Sequence, residues 1–263
     1  EMTDGYPVIP PLSLPQPTDL PDGQHNGAQD YSGKTLLTGA TINLGKTHPS
    51  KVAALMHSTA ITVTQESSDE SALYKSVQKS GLGTYRPSSR IGQAATGIVW
   101  QPNVVKARDL FSIPLYDGAV PGPHDKPKFL QGVTFDVLSG GSFTFATIHL
   151  YPGQRGHNRL EQIGEEMVRK AIAYLETING PVILAGDFNT LPVGNATKPL
   201  RDHNWKCSQI VLGRIPTHGL NWTPDMAWAK NGIRFASHKT RPTGGDHFAY
   251  MFEYRIAVDV TKP

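Results

Sequence analysis

The sequence has only one cysteine, Cys207, among 263 residues. A single thiol excludes a disulfide bond within the chain and any metal cluster held by several thiolates. We therefore expect Cys207 to be a buried or half-buried structural thiol. Long apolar runs are also missing, since no stretch reaches the roughly 20 residues that a membrane-spanning helix needs. Stable membrane insertion is thus not expected.

The N-terminus lacks the basic segment followed by an apolar stretch that is typical of a secretory signal, so localisation stays open. It is instead rich in proline, with Pro7, Pro10, Pro11, Pro15, Pro17 and Pro21. Proline fixes the backbone and removes hydrogen-bond donors, and glycine and polar residues lie between these positions. We expect residues 1–33 to be an extended arm or linker, which also suits attachment to an upstream domain or a larger assembly.

The charge excludes few classes of protein. The chain has 25 basic and 22 acidic residues, for a formal net charge of +3. This small excess fits a polyanionic partner but does not require one. The length suits one large domain or two small ones, and no repeat or second linker follows residue 34. We expect residues 34–263 to form one domain.

Strand-like segments alternate with segments of helical periodicity after residue 34. Strands are predicted at 35–42, 61–64, 96–105, 132–138, 142–150, 182–185 and 248–258, and helices near 49–56, 69–81 and 158–180. Strands outnumber helices, and several strands follow one another directly. This pattern favours an α+β fold in which sheets pack face to face and helices lie outside.

Polar side chains that can bind a metal or transfer a proton follow several of these strands. They are Asn43, Glu66, His149, Asp187, Asn189, Asp246 and His247. Each has an ordinary alternative as a solvated rim residue, a structural histidine or a turn residue. Their recurrence at strand ends favours a common site, because buried polar groups must be paired or bind a cation.

Four motifs carry a resemblance to a known family. Val63-Thr-Gln-Glu66-Ser, Thr147-Ile-His149-Leu, Gly186-Asp187-Phe-Asn189 and Gly245-Asp246-His247-Phe occur in the order found in the endonuclease/exonuclease/phosphatase superfamily. That superfamily includes pancreatic deoxyribonuclease, the nuclease subunit of cytolethal distending toxin, inositol polyphosphate 5-phosphatases and neutral sphingomyelinases. The resemblance covers residues 34–258. It implies a four-layered α/β/β/α sandwich of the deoxyribonuclease I type.

The resemblance also implies a metal site and a catalytic histidine. Glu66, with Asn43 beside it, would hold Mg²⁺, or else Mn²⁺ or Ca²⁺, which all prefer oxygen ligands. His247 would be the general base that activates water, and Asp246 would orient it. His149 would be the second histidine, which donates to phosphate or to the leaving oxygen.

The same resemblance assigns supporting roles. Asp187 and Asn189 would position the water and the phosphate, and Asp225 would support His149 or contact phosphate. Secreted deoxyribonucleases pair the first catalytic histidine with a Glu, but no carboxylate lies between Glu70 and Asp109 here. Asp225 or a neutral group would then replace that partner. The phosphate-binding Arg of the family is represented by Lys126 or Lys128, which lack its bidentate fork.

Three clusters of basic residues favour nucleic acid as the partner and DNA as the substrate. They are Lys75, Lys79, Arg86 and Arg90; Arg155, His157 and Arg159; and His238, Lys239 and Arg241. Arg86, Arg90 and Arg155 are the predicted substrate contacts, although ordinary solvated loops have similar charges. The predicted function is therefore a metal-dependent DNA endonuclease. The alternatives are an inositol phosphate phosphatase, a sphingomyelinase-like phospholipase and a catalytically silent binding module. No convincing apolar hairpin for a membrane is found, and only the 222–228 stretch could serve as one.

Overall fold

The computed structural model describes residues 36–67, 71–86, 95–117, 126–152, 158–219 and 221–257. The predicted arm at 1–33 lies outside these residues. Arg90, Arg155 and His157 also lie outside them, so their predicted contacts with substrate stay predictions.

The described part of the chain contains short helices and many strands. In chain order the elements are β1 (Leu36–Asn43), α1 (Pro49–His57), β2 (Ile61–Gln65), α2 (Ser71–Lys79), β3 (Gly83–Tyr85), β4 (Gly97–Trp100), β5 (Val105–Tyr116), β6 (Lys128–Val137), β7 (Ser142–His149), α3 (Asn158–Leu175), β8 (Val182–Asp187), α4 (Lys198–Asp202), β9 (Lys206–Cys207), α5 (Ser208–Val211), β10 (Asp225–Lys230), β11 (Ile233–Pro242) and β12 (Phe248–Ile256).

The strands form two six-stranded sheets. The first sheet has the order β11-β12-β1-β2-β4-β3, and the second has the order β5-β6-β7-β8-β10-β9. β1 is parallel to β2, and β7 is parallel to β8, whereas the neighbouring pairs are antiparallel. Parallel neighbours need a crossover connection, and α1 and α3 lie in these two connections.

The two sheets pack face to face through an aromatic core. The Phe145 ring of β7 lies 6.1 Å from the Phe252 ring and 6.3 Å from the Tyr254 ring, both on β12. These contacts join the second sheet to the first. Separate apolar clusters attach α1 and α2 to the outer face of the first sheet and α3 to the outer face of the second. The predicted four-layered sandwich is confirmed.

α3 shows most directly how the sequence determines this packing. Ile163, Met167, Ala171 and Leu175 recur every four residues and are all buried in the cluster beneath the helix. A stripe of this spacing lies along one side of an α-helix. The strand that follows, β8, is buried on both sides because α3 covers one face and the first sheet covers the other.

Some predicted elements differ from the structure. The single strand predicted at 96–105 is divided into β4 and the start of β5 by a turn. The 222–228 stretch is not an exposed apolar hairpin, because Asp225 to Trp228 belong to β10, which is buried between β8 and β9. None of the described helices is both long and apolar enough to cross a membrane.

Gly186 shows how tightly the second sheet is packed. A Cβ atom on Gly186 would lie 2.0 Å from the carbonyl oxygen of Ile148, so only glycine lets β7 and β8 approach as they do. This approach places His149 opposite Asp187.

Cys207 is buried as predicted, and burial raises the pKa of its thiol to about 12.

Candidate active site

Six polar side chains meet at one edge of the sandwich. They are Asn43, Glu66, His149, Asp187, Asp225 and His247. The parallel pairs β1–β2 and β7–β8 end at this edge, and the antiparallel strands β10 and β12 begin there. The sheet register sets His149, Asp187 and Asp225 side by side on three adjacent strands.

The carboxylate of Asp187 lies at the centre of the group. Its Oδ2 atom accepts a hydrogen bond from Asn43 Nδ2 at 3.0 Å and lies 3.7 Å from His149 Nε2 and 3.8 Å from His247 Nε2. Burial alone would raise the pKa of this carboxyl, but the charges of His247 and His149 and the bond from Asn43 lower it. Asp187 is therefore held as an anion between two imidazoles.

Glu66 lies beside Asp187 and remains accessible to solvent. Its side chain is 25% exposed, and its Oε1 atom lies 4.0 Å from His149 Nε2. Asn43 Nδ2 donates to the same Oε1 atom at 3.2 Å, while Asn43 Oδ1 accepts the Gly45 N–H at 2.9 Å. Asn43 Nδ2 faces both carboxylates and Oδ1 faces the Gly45 N–H, and a contact of Asn43 with metal stays a prediction. Asn43 ties Glu66 to Asp187.

Two residues of the site have backbone conformations that most side chains avoid. Glu66 has φ 54° and Asn189 has φ 49°. Such conformations cost about 1 to 3 kcal/mol for a residue like Glu and persist where the surroundings enforce them. Arg86 donates to the Ser67 carbonyl at 2.6 Å, directly after Glu66. Asn189 donates its N–H to Asp187 Oδ1 at 2.8 Å and its Nδ2 to the Leu150 carbonyl at 2.9 Å.

His247 is paired with a buried carboxylate. Its Nδ1 atom lies 2.9 Å from Asp225 Oδ2, and Asp225 is fully buried. Burial alone would lower the pKa of His247, but the Asp225 carboxylate raises it above the usual value. The pairing directs His247 Nε2 towards Asp187, so Nε2 is the nitrogen that can exchange a proton at the site.

This pair corrects two predictions. Asp246 does not orient His247, because its side chain is 44% exposed and lies 3.4 Å from Lys46 Nζ. Asp246 lies in a bend on the surface, whereas the His247 side chain is buried. Asp225 was predicted to support His149 or to contact phosphate, whereas it bonds to His247.

Of the two candidate phosphate lysines, Lys128 lies at the site. Its side chain is buried at the start of β6, with Nζ 5.0 Å from the centre of the Tyr151 ring, whereas Lys126 is exposed. Burial lowers the pKa of Lys128 to about 8, and the charges of Asp187 and Glu66 partly oppose that effect. A cation next to two carboxylates fits a subsite for an anionic group.

The predicted basic clusters are only partly positioned for substrate. The Arg86 guanidinium lies 4.6 Å from the centre of the Tyr74 ring and bonds to the backbone after Glu66, so it braces the site. His238 lies 3.0 Å from the hydroxyl of Tyr250 and is half-buried. The other described members of the three predicted clusters are exposed, namely Lys75, Lys79, Arg159, Lys239 and Arg241.

Sequence reasoning did not assign His218 or Trp222 to the site. The His218 ring centre lies 4.6 Å from that of His247 and 5.1 Å from that of Trp222. Neither residue follows a predicted strand, and the bridge pairing of His218 with both partners is a tertiary contact. β10, which was not predicted, begins three residues after Trp222. Prediction of that strand from the sequence would have drawn attention to the residues that precede it.

The donor set fits a hard divalent cation. Asp187, Asp225 and His247 have ligand atoms within 4.8 Å of one another, and the Glu66 carboxylate lies on the exposed side of this group. Among the described residues, Asp225 Oδ1 is buried and has no hydrogen-bond partner. Mg²⁺ and Mn²⁺ prefer carboxylate oxygens, which Asp187 and Glu66 can supply, whereas Asp225 Oδ2 and His247 Nδ1 are bonded to each other.

No protein-family model and no curated protein matches this sequence. Solved structures do match. An endonuclease/exonuclease/phosphatase from Bacteroides vulgatus aligns with a TM-score of 0.69 and 14% identity, over 85% of this chain and 100% of that one.

Two structures of stated activity are also similar. ANGEL2, described as a 2',3'-cyclic phosphatase in complex with adenosine-2',3'-vanadate, has a TM-score of 0.70 and 9% identity, over 87% of this chain and 98% of that one. A mannosyl-6-phosphatase from Bacteroides thetaiotaomicron VPI-5482 has a TM-score of 0.65 and 15% identity, over 83% and 99%. At these identities the likeness concerns the fold, and the chain has the endonuclease/exonuclease/phosphatase fold that its motifs predicted.

Proposed function

We propose that this protein is a divalent-metal-dependent phosphoester hydrolase whose water nucleophile is activated by His247, and that its substrate is a nucleic-acid phosphodiester. The observation that carries the proposal is the buried Asp225–His247 pair directed at Asp187. A carboxylate that fixes one imidazole nitrogen leaves the other to accept a proton from water.

Glu66 and Asp187 are the residues that would hold the cation. Bound there, a divalent metal would neutralise phosphate charge and stabilise the oxygen on which charge develops. Both carboxylates face one another across Asn43 Nδ2, which keeps them close despite their like charge. Positive charge at this point would also lower the pKa of His247, which favours its neutral, proton-accepting form.

The remaining residues would bind and orient the phosphate. Lys128 supplies a buried positive charge beside Asp187 and Glu66. His149 Nε2 lies within 4.0 Å of both carboxylates and can donate to a phosphoryl oxygen when protonated. Asn189 is anchored to Leu150 and Asp187, so it positions the Asp187 carboxylate.

Two observations support a nucleic-acid substrate over other phosphoesters. Lys46 on the rim has an 82% exposed side chain, and Lys239 and Arg241 are exposed on β11, so positive charge is available for a polyanion. The similar structure of ANGEL2 is described with an adenosine ligand. The phospholipase alternative has less support, because Asp225 to Trp228, in the stretch that could have served as an apolar hairpin, belong to the buried strand β10.

A phosphomonoester phosphatase is the second candidate. It is favoured by the likeness to a mannosyl-6-phosphatase. The two candidates differ in the charge and size of the substrate and not in the catalytic groups, so they are separated by direct comparison of substrates.

The test incubates the full chain with supercoiled plasmid, a single-stranded oligonucleotide and mannose 6-phosphate, each with Mg²⁺ or Mn²⁺ and with EDTA. We expect nucleic-acid cleavage that EDTA abolishes and that His247→Ala reduces by about 10²- to 10⁴-fold. His203→Ala is the matched control, since His203 is an exposed histidine beside Glu176 on the surface. Phosphate release from the sugar phosphate alone would favour the phosphatase, and no hydrolysis by the folded protein would refute the proposed function.

A further inference from the structure

Two aromatic rings beside His247 have no part in the proposed hydrolysis. His218 and Trp222 lie in the segment between α5 and β10. The His218 ring stands at 71° to the His247 ring, with centres 4.6 Å apart, and at 81° to the Trp222 ring, with centres 5.1 Å apart. The rings thus form a row that leads away from the catalytic histidine.

The backbone holds this row in place. The N–H groups of Thr217 and His218 both donate to the Trp222 carbonyl, at 2.9 and 3.1 Å, and the Phe248 N–H donates to the Thr217 carbonyl at 2.7 Å. His218 also forms a bridge with His247. The segment is therefore tied to the start of β12, so the rings need little ordering when they bind a ligand.

The row differs chemically from the rest of the site. The carboxylates, Lys128 and His149 form its charged part, around Asp187. His218 and Trp222 are half-buried side chains beside this charged part. An imidazole and an indole provide flat surfaces against which an uncharged planar ring can pack.

We propose that His218 and Trp222 bind a planar ring of the substrate, namely the nucleobase next to the scissile phosphate. The inference rests on the proposed function, because it assumes that a phosphoester is cleaved at His247. In a nucleotide one sugar separates the base from its phosphate. In the protein the His218 ring similarly separates Trp222 from His247. Stacking on such rings tolerates any base, so the surface recognises nucleotides as a class and not one sequence.

The test compares two substrates that share the same phosphodiester backbone. One is a short oligothymidylate, and the other has abasic residues in place of every thymidine. We expect the full chain to cleave the oligothymidylate with a kcat/KM about tenfold higher, since stacking of a base on an aromatic side chain has an effect of roughly this size or more. In Trp222→Ala this ratio should fall to near unity, mainly through KM.

Variants that keep a flat ring separate binding from support of the fold. Trp222→Phe and His218→Phe should keep most of the preference for the oligothymidylate, whereas His218→Ala should lose it. Thermal unfolding of each variant shows whether the protein is folded, and the ratio between substrates is insensitive to the fraction of active enzyme.

The outcomes distinguish this inference from the proposed function. If the wild-type protein cleaves neither oligonucleotide, the proposed substrate class is wrong and the inference fails with it. If it cleaves both with equal kcat/KM, or if Trp222→Ala lowers both equally, hydrolysis at His247 stands. The rings would then only support His247, and the inference would be overturned.

Discussion

At the scale of single residues, the bond between His247 Nδ1 and Asp225 Oδ2 decides which imidazole nitrogen is available for chemistry. We predict that Asp225→Asn lowers kcat/KM by on the order of a hundredfold or more, because the amide can present a donor to Nδ1 and no longer stabilises the imidazolium. The Asp225 carboxylate raises the pKa of His247, so its removal lowers that pKa. The acidic limb of the kcat/KM profile should shift to lower pH, which a pH series on both proteins measures.

Asp246→Asn is the matched control for that change. Asp246 is adjacent to His247 in sequence but is 44% exposed and pairs with Lys46. Surface ion pairs of this kind contribute little, so the variant should keep kcat/KM within about twofold of wild type. A larger loss in Asp246→Asn than in Asp225→Asn would contradict the assignment.

The same pair shows what sequence reasoning can and cannot predict about the site. Glu66, His149, Asp187 and His247 were predicted as a group, because each ends or begins a strand within a recognisable motif. Asp246, to which the resemblance assigned the orientation of His247, is not its hydrogen-bond partner in the structure. Asp225 begins β10 of the second sheet and His247 precedes β12 of the first, so their contact depends on how the two sheets pack.

At the scale of elements, the closeness of β7 and β8 keeps His149 opposite Asp187. We predict that Gly186→Ala destabilises the protein by about 3 kcal/mol or more, because its Cβ atom would lie 2.0 Å from the Ile148 carbonyl oxygen and backbone cannot yield without moving the strand. Activity should fall further than stability explains, since that movement separates His149 from Asp187. Urea denaturation and kcat/KM of the folded fraction measure the two effects.

Gly132→Ala provides the comparison. Its Cβ atom would also be crowded, at 2.1 Å, but by the ring of Phe111, a half-buried side chain that can rotate away. We expect a smaller loss of stability than in Gly186→Ala and a nearly normal kcat/KM. Equal effects of the two changes on kcat/KM would contradict the view that the β7–β8 distance sets the site.

The elements differ in how far their patterns predict them. The start of α3 and both ends of β7 were predicted within one residue, because one face of each packs in the core and leaves a regular apolar pattern, whereas α3 ends at Leu175 and not near Gly180 as predicted. β5 and β11 were largely missed, and both are edge strands with many exposed polar residues. Their backbone hydrogen bonds to β6 and β12 hold them in place, and those bonds leave no apolar pattern in the sequence.

At the scale of the whole molecule, the site is held together at a cost to stability. It gathers Glu66, Asp187, Asp225 and Lys128 in a largely buried space, although burial disfavours charged side chains. The two sheets can tolerate this group because large apolar and aromatic clusters pack on both sides of each sheet. The four-layered architecture was predictable from the order of the motifs, whereas the balance of charge within the site depended on distances that only the fold determines.

The lowered pKa of Lys128 allows part of this cost in stability to be measured. Its pKa is lowered by burial from 10.5 to about 8, and each pH unit corresponds to about 1.4 kcal/mol. At neutral pH the folded protein therefore carries a penalty of about 3 kcal/mol for keeping this lysine charged. We predict that Lys128→Met, which preserves the length and removes the charge, stabilises the fold by about 1 to 3 kcal/mol while lowering activity on phosphoesters.

The sign of the pH dependence follows from proton binding. Between pH 8 and pH 10.5 the unfolded chain binds the Lys128 proton and the folded protein does not, so wild-type stability gains with rising pH relative to the variant. The advantage of Lys128→Met should be complete below pH 8 and fade towards pH 10.5, as urea denaturation at a series of pH values would show. Lys126→Met, at an exposed lysine two residues away, should change stability by less than about 0.5 kcal/mol at any of these pH values. If Lys128→Met instead destabilises the fold at neutral pH, the attraction of Lys128 to Asp187 and Glu66 stabilises the protein by more than burial of the charge destabilises it. The view that this lysine lowers stability and is retained to bind phosphate would then be wrong.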